Sequence, residues 1–203
     1  MVELIRPRFL PLVRVGAVVA VMAGTLALSA CAGDLKPTTS PTPSTSSSPV
    51  ASATPTPTAT TPATPVTLTC PQLLTPQQLY AYNPNFGTDP GYAPTSGSLA
   101  ATAVADQGVA CGWLNQTSGD KIEIAVSKPP ASQLDTLKNS AVTTSRAAVT
   151  YGVPDGYFAL RGATGEVQIF TGNYWIIATS TAFQEPGDNA TLMQDVMANL
   201  PKD

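Results

Sequence analysis

The pattern of apolar and polar positions gives its clearest hairpin signal in the last third of the chain. Two apolar runs in 165–181 flank Gly172 and Asn173, a pair that is typical of a two-residue hairpin turn. A turn of that length places Phe170 opposite Trp175 on the neighbouring strand. This stretch therefore predicts the β-hairpin with the strongest signal in the sequence.

Three further segments alternate with the period of two that half-buried strands show, namely 108–116, 121–128 and 156–162. Residues 117–120 indicate a second hairpin turn between the first two of them. In 121–128, Ile122 and Ile124 fall on one side of the strand and Glu123 falls on the other. Together with the hairpin in 165–181, these segments predict about five strands.

Helical signals lie around the strands. Thr75 and Gln78 have the spacing of a capping box in front of a short helix over 75–82. Apolar stripes of helical period occur in 129–141 and 188–200, whereas 99–108 fits either a short helix or an irregular segment. The order is α-(α?)-ββ-α-βββ-α, which predicts an α+β domain with an antiparallel sheet and helices packed mainly on one face.

The first thirty residues have the layout of an export signal. Three arginines precede 15–30, a run without a charged residue. A membrane span needs roughly 20 apolar residues and a signal peptide roughly 7–15, so the run suits a signal peptide. It ends in Leu28-Ser29-Ala30-Cys31.

That ending resembles the lipobox of bacterial lipoproteins, in which an aliphatic residue and two small residues precede a cysteine. The resemblance implies that the Cys31 thiol takes a diacylglyceryl group and that the signal peptide is removed before it. Two or more acyl chains hold a protein on a membrane stably, whereas one does so marginally. An ordinary signal peptide with a chance cysteine, or an uncleaved anchor, is the alternative.

A low-complexity segment separates Cys31 from the region that carries the strand signals. Residues 33–65 are almost all Pro, Thr, Ser and Ala, which offer few large apolar side chains to offset the entropy of ordering. The predicted organisation is a signal peptide over 1–30, a lipidated N-terminus with a disordered stalk over 31–66, and one extracytoplasmic domain over 67–203. The expected location is the outer face of the cell membrane.

Cys70 and Cys111 are the two cysteines that remain after Cys31. Disulfides persist outside the cytosol, so two cysteines left in an exported domain favour a bridge between them. Two separate buried thiols are the alternative. A metal site is not expected, because two thiols without a histidine are a poor set of ligands.

Charge and composition exclude several classes of function. Three of the ten Lys and Arg and one of the 13 Asp and Glu precede Cys31, so the mature chain carries a net charge of about −5. No basic run follows Cys31, which argues against a nucleic-acid partner. The chain has no histidine, so Ser-His-Asp and Cys-His catalysis are excluded, and no cofactor motif is present.

Two weak catalytic patterns remain. Ser118 and Lys121 match S-x-x-K, but they fall in the predicted 117–120 turn region rather than at the start of a buried helix. Two acidic pairs have the composition of a glycosidase site: Asp106 with Asp120, and Asp155 with Glu166. Surface carboxylates and a solvated turn are the favoured interpretation, so we predict no catalytic residue.

The second face of the predicted sheet is unusually apolar. If Ile169 and Ile176 face the core, Phe170, Trp175 and Ile177 project from the opposite side, and Tyr157 or Phe158 joins them. Such a face indicates a binding surface, or else a cover by the long 84–106 segment, and cover is the favoured alternative. Phe170, Trp175, Ile177 and Tyr157 are the candidate binding residues.

One further resemblance concerns the layout of the chain. The order of lipobox, Thr/Pro/Ser-rich stalk, "Cys70-Pro-Gln-Leu-Leu-Thr-Pro" and "Cys111-Gly-Trp113" is similar to that of small actinobacterial cell-envelope lipoproteins of uncharacterised function. By that similarity it supports pairing of Cys70 with Cys111. It implies no activity.

The functional hypothesis is a lipid-anchored, non-catalytic binding or interaction module of the cell envelope. Its partner would be a small molecule, an envelope lipid or another protein. The alternatives are an envelope hydrolase that uses carboxylates or an unusual serine, and a structural envelope component.

Intact-mass spectrometry of the native protein tests the lipobox interpretation. We expect the chain to begin at Cys31 and to carry the mass of a diacylglyceryl group, and a Cys31→Ala variant to lack that mass and to leave the membrane fraction. An unmodified native polypeptide that begins at Met1 would contradict the interpretation.

Overall fold

The computed structural model describes residues 61–202. The predicted signal peptide, Cys31 and most of the predicted stalk lie outside the described residues. Among the helices of the described range, none is long and apolar enough to cross a membrane.

The sheet has seven strands, and every neighbouring pair in it is antiparallel. The order across the sheet is β1-β2-β3-β7-β6-β5-β4, so two meanders, β1 to β3 and β4 to β7, join where β3 pairs with β7. The strands are β1 (Phe86–Thr88), β2 (Val109–Asn115), β3 (Lys121–Ser127), β4 (Arg146–Ala147), β5 (Gly156–Arg161), β6 (Thr164–Thr171) and β7 (Tyr174–Ser180).

The described residues also form five α-helices. They are α1 (Cys70–Leu73), α2 (Pro76–Tyr82), α3 (Leu99–Ala105), α4 (Ala131–Thr144) and α5 (Ala190–Asn199). Two short 3-10 turns, Val149–Tyr151 and Pro186–Asn189, connect them to neighbouring elements. The predicted capping box is present at α2, where Gln78 N donates to Thr75 Oγ1 at 3.2 Å and Thr75 N donates to Gln78 Oε1 at 3.0 Å.

The α+β class and the antiparallel sheet are confirmed, but the number of strands is seven rather than five. The two additional strands, β1 and β4, lie at the edges of the sheet and have three and two residues. Edge strands this short carry too few residues to show an alternating pattern, which is why the sequence did not reveal them. The 165–181 hairpin has the predicted register, with Phe170 opposite Trp175.

One face of the sheet forms the larger core. Alternate residues of the central strands, such as Trp113, Ile124 and Ile176, point to this face and are at most 2 % exposed. Helices α1, α2 and α5 cover it, and Leu73 and Val196 are among the helical residues that pack there. We call this side the first face.

The opposite side, which we call the second face, is covered by helices over part of its area. Ala100 and Ala103 of α3 and Ala141 of α4 are fully buried in a cluster with the sheet residues of this side. The prediction of helices mainly on one face is therefore wrong in this respect. Strands β6 and β7 carry large apolar residues on both sides, so both sides need a cover.

A disulfide joins α1 to the central part of β2. Cys70 and Cys111 are bonded, with 5.6 Å between their Cα atoms, which confirms the predicted pairing. Cys111 is fully buried in the first-face core, and Cys70 packs against it. The bond therefore attaches the start of the domain to its core.

Residues immediately before α1 also contact the domain, although the sequence analysis assigned them to the stalk. Thr64 N donates to the carbonyl oxygen of Lys128 at 2.9 Å, and Val66 N donates to that of Gln107 at 3.0 Å. Val66 also packs against the first-face core. Contacts with the domain thus begin before residue 67.

Replacing both bridged cysteines, Cys70→Ala with Cys111→Ala, should lower the free energy of unfolding by about 4 kcal/mol, because the bond closes a loop across a sequence separation of 41. Urea unfolding followed by circular dichroism measures the difference. An unchanged midpoint would contradict the assigned role. Because both thiols are removed together, no free thiol is left to form mixed disulfides.

Candidate functional site

The second face is divided into rows of side chains that run across the strands. The row beneath α3 contains mostly apolar residues, which the strand register aligns in the order Ala110, Ala125, Ile177, Gln168 and Tyr157. Helix α3 packs across β2, β3 and β7, and α4 packs against β5. This row is covered by protein.

The four residues predicted as a binding face all belong to the covered part. Phe170 and Trp175 stack with 6.5 Å between ring centroids, and Tyr157 meets Phe170 edge to face. Trp175 and Ile177 are 0 % exposed, and Phe170 and Tyr157 are at most 7 % exposed. The prediction that these side chains share the second face is correct, but they form a core beneath helices, not an open surface.

Phe158, which the sequence analysis gave as the alternative to Tyr157, points to the first face and is 1 % exposed. Within the covered part, the Trp175 Nε1 donates to Gln168 Oε1 at 3.2 Å. This bond satisfies the two polar groups of a buried pair that would otherwise be costly to bury. The indole N–H of Trp175 and the side-chain oxygen of Gln168 are therefore satisfied within the covered part of the second face.

The next row of the second face is polar and lies beyond the helices. The register aligns it, two residues further along each strand, in the order Gly112, Glu123, Thr179, Glu166 and Ala159. Helix α3 begins only at Leu99, with Ser98 as its N-cap, so the preceding residues 89–98 form a loop at this end of the sheet. The row is open between the loop and the strands.

The open row forms the floor of two cavities of about 460 Å³ each. Both cavities are lined by Thr95, Glu123, Thr164 and Thr179, so they join into one groove. We call it the polar groove. Its other polar lining residues include Asp89, Tyr92 and Lys121 in one cavity and Arg161 and Glu166 in the other.

Gly112 positions Tyr92 over the floor of the groove. A Cβ atom at residue 112 would overlap the Tyr92 ring, so the absence of a side chain lets the ring lie against the strand. The Tyr92 hydroxyl then donates to Glu123 Oε2 at 2.7 Å, and the Thr179 hydroxyl donates to Glu123 Oε1 at 3.3 Å. Each Glu123 oxygen thus accepts one hydroxyl bond.

The Tyr92 phenol is held in its neutral form by its surroundings. Burial, the hydrogen bond to Glu123 and the charge of that carboxylate raise the pKa of Tyr92 far above its ordinary value of 10.0. The phenol therefore keeps the proton that it donates to Glu123.

The other charges of the groove occur in pairs. Lys121 Nζ lies 3.1 Å from Asp89 Oδ2, and Arg161 Nη2 lies 3.1 Å from Glu166 Oε1. Among the ion pairs of residues 61–202, none includes Glu123, whose bonds are to hydroxyl groups. The groove therefore presents balanced charge at both ends and one carboxylate without a paired cation between them.

The structure separates the residues of the weak catalytic patterns. Ser118 Oγ donates to Asp120 at 2.6 Å, whereas Lys121 is bound to Asp89, so the S-x-x-K residues do not act on each other. Bonds from Ser118 and Thr181 lower the pKa of Asp120. These bonds therefore favour the ionised form of Asp120.

The predicted acidic pairs are also held apart by different partners. Asp106 accepts a hydrogen bond from Gln133, at the end of α3. Asp155 precedes β5 and forms an ion pair with Lys138 of α4, whereas Glu166 is bound to Arg161 at the opposite end of β5. Within the described range, no group of three or more Cys, Asp or Glu residues is arranged to hold a metal ion.

Sequence reasoning missed the residues that do come together, chiefly Tyr92, Glu123 and Thr179. The alternation in 121–128 did place Glu123 on the side opposite the core. Its neighbours depend on the pairing of β3 with β7, which are separated in sequence by α4 and three strands. No local sequence pattern indicates a pairing between two strands that lie so far apart in the chain.

Comparison of the chain with protein-family models, with curated proteins and with solved structures finds no match.

Spectrophotometric titration tests the environment of Tyr92. Because the raised pKa keeps this phenol neutral in the folded protein, the wild type and Tyr92→Phe should show equal tyrosinate absorbance up to about pH 10, the ordinary tyrosine value. The raised pKa of Tyr92 contributes fully to the stability of the folded state below about pH 10. This contribution is lost as pH rises further, because the unfolded chain then releases the proton. If folded Tyr92→Phe showed one tyrosine fewer than the wild type titrating at about pH 10, the assignment would be contradicted.

Proposed function

We propose that the protein is a lipid-anchored, extracytoplasmic binding module of the cell envelope and that its ligand lies in the polar groove. The observation that carries the proposal is the open polar row Glu123–Thr179–Glu166 beside a mostly apolar row that α3 and α4 cover. A sheet face covered this closely over one part, and left open with convergent polar groups over the next, has the form of a ligand site. The anchoring part rests on the lipobox and the stalk of the sequence.

Binding without catalysis is supported by the partners of the carboxylates. Both oxygens of Glu123 accept hydroxyl bonds, and Glu166 is bound by Arg161 and Gln168. These bonds fix the two side chains in place, and fixed acceptors suit recognition. The lack of histidine removes the commonest proton-transfer group.

A second candidate function is hydrolysis by two carboxylates, which the placement of Glu123 and Glu166 on either side of Thr179 favours. Their Cβ atoms are two strand spacings apart, roughly 9.5 Å. Inverting glycosidases hold their carboxyl groups roughly 6.5–9.5 Å apart, and two glutamate side chains on Cβ atoms at this spacing can span that range. Because both carboxylates are engaged by protein donors, binding is the better supported of the two.

A groove-filling variant tests the proposal in the full-length protein. Wild-type protein, Thr179→Phe and the control Thr136→Phe are purified from membranes, incubated with a cell-envelope extract and recovered, and bound material is quantified by mass spectrometry. Thr136 is exposed on α4 and does not line the groove. We expect Thr179→Phe to lose retention of a component by about tenfold or more, because the ring occupies the groove.

Equal retention by both variants, or no retained component at all, would overturn the proposal. Release of cleavage products from the extract, abolished by Glu123→Gln, would instead establish the hydrolase. Thermal unfolding of each variant shows whether the fold is intact.

A further inference from the structure

We infer that the ligand of the polar groove is an oligosaccharide without negative charge. The inference rests on the proposed function and names the class of ligand for the same site. It follows from the hydrogen-bonding groups of the groove, the charge of Glu123 and the paired state of the strands that form the floor.

The groove presents donors and acceptors side by side. Glu123 and Glu166 offer carboxylate oxygens, Arg161 offers guanidinium N–H groups, and Thr95 and Thr164 offer hydroxyls that both donate and accept. A sugar hydroxyl has the same dual capacity, so neighbouring hydroxyls of a saccharide can bond to adjacent groups of both kinds. Each half of the groove, about 460 Å³, is within the range of small-ligand sites, and the two halves are continuous.

The central carboxylate disfavours an anionic ligand. Glu123 lies on the floor between the two ion pairs, and its bonds are to the Tyr92 and Thr179 hydroxyls. A phosphate, sulfate or uronate placed over Thr179 would have Glu123 on one side and Glu166 on the other. Like charges at such distances in a partly enclosed site cost binding energy.

The floor also disfavours a lipid chain and a peptide. An acyl chain over Glu123 and Thr179 would bury polar groups without replacing their contacts with water. Peptides are commonly recognised by free strand edges, apolar grooves or arginine clusters. The floor strands β3, β7 and β6 are paired on both sides, so they have no free edge in the groove.

An array of immobilised oligosaccharides, both neutral and uronic-acid-containing, tests the inference with the full-length protein in detergent. We expect binding to neutral members and binding weaker by about tenfold or more to acidic members, because the negative charge of an acidic member is repelled by Glu123. Thr164→Val, which removes a groove hydroxyl while keeping the side-chain shape, should weaken neutral binding. Thr136→Val on α4 is the matched control and should not.

Glu123→Gln gives a readout that a purely structural role would not produce. The amide oxygen can still accept a bond from a hydroxyl, but the negative charge is gone, so binding to acidic oligosaccharides should rise relative to neutral ones. A change in overall fold would lower both together. The ratio of acidic to neutral binding therefore reports the charge of residue 123 directly.

Binding confined to acidic members, or no binding to any member, overturns the inference. Retention of an envelope component that depends on Thr179, together with a blank array, leaves the proposed function standing and overturns only the ligand class. The absence of both the Thr179-dependent retention and the array binding overturns the proposed function and the ligand class together.

Discussion

The arrangement of the second face depends on how little of it the two covering helices, α3 and α4, span. Helix α3 has seven residues, which corresponds to about 10 Å of length, whereas a seven-stranded sheet is roughly 29 Å wide. The fully buried Ala100 and Ala103 let α3 lie close to the sheet, but the helix begins only at Leu99, so the row beside its first turn is left without a helix over it. Because cover is incomplete, apolar residues occupy the rows beneath the helices and polar residues occupy the row beyond them.

The elements with local signals could be predicted from the sequence. Strands β2, β3 and β5 carry period-two alternation, the 172–173 turn sets the register of β6 and β7, and Thr75 with Gln78 caps α2. Helix α3 was ambiguous because an alanine-rich segment shows little contrast between its faces. The edge strands, the β3–β7 pairing and therefore the polar groove depend on contacts between distant segments, which no local pattern reports.

The position of the candidate site illustrates the same distinction. The sequence correctly indicated that Phe170, Trp175 and Ile177 share a face opposite the main core. Whether such a face is open depends on where a helix from elsewhere in the chain packs, and here α3 and α4 pack on it. The open surface lies one row away, at Glu123, Thr179 and Glu166.

Cysteine accessibility on β7 tests the division of the second face most directly. Ile177 lies in the covered row and Thr179 in the open row, two residues apart on the same strand and the same face. A charged thiol reagent should modify Thr179→Cys faster than Ile177→Cys by about tenfold or more under native conditions, because the covered site reacts only after local opening. Equal rates, or faster modification at residue 177, would contradict the account.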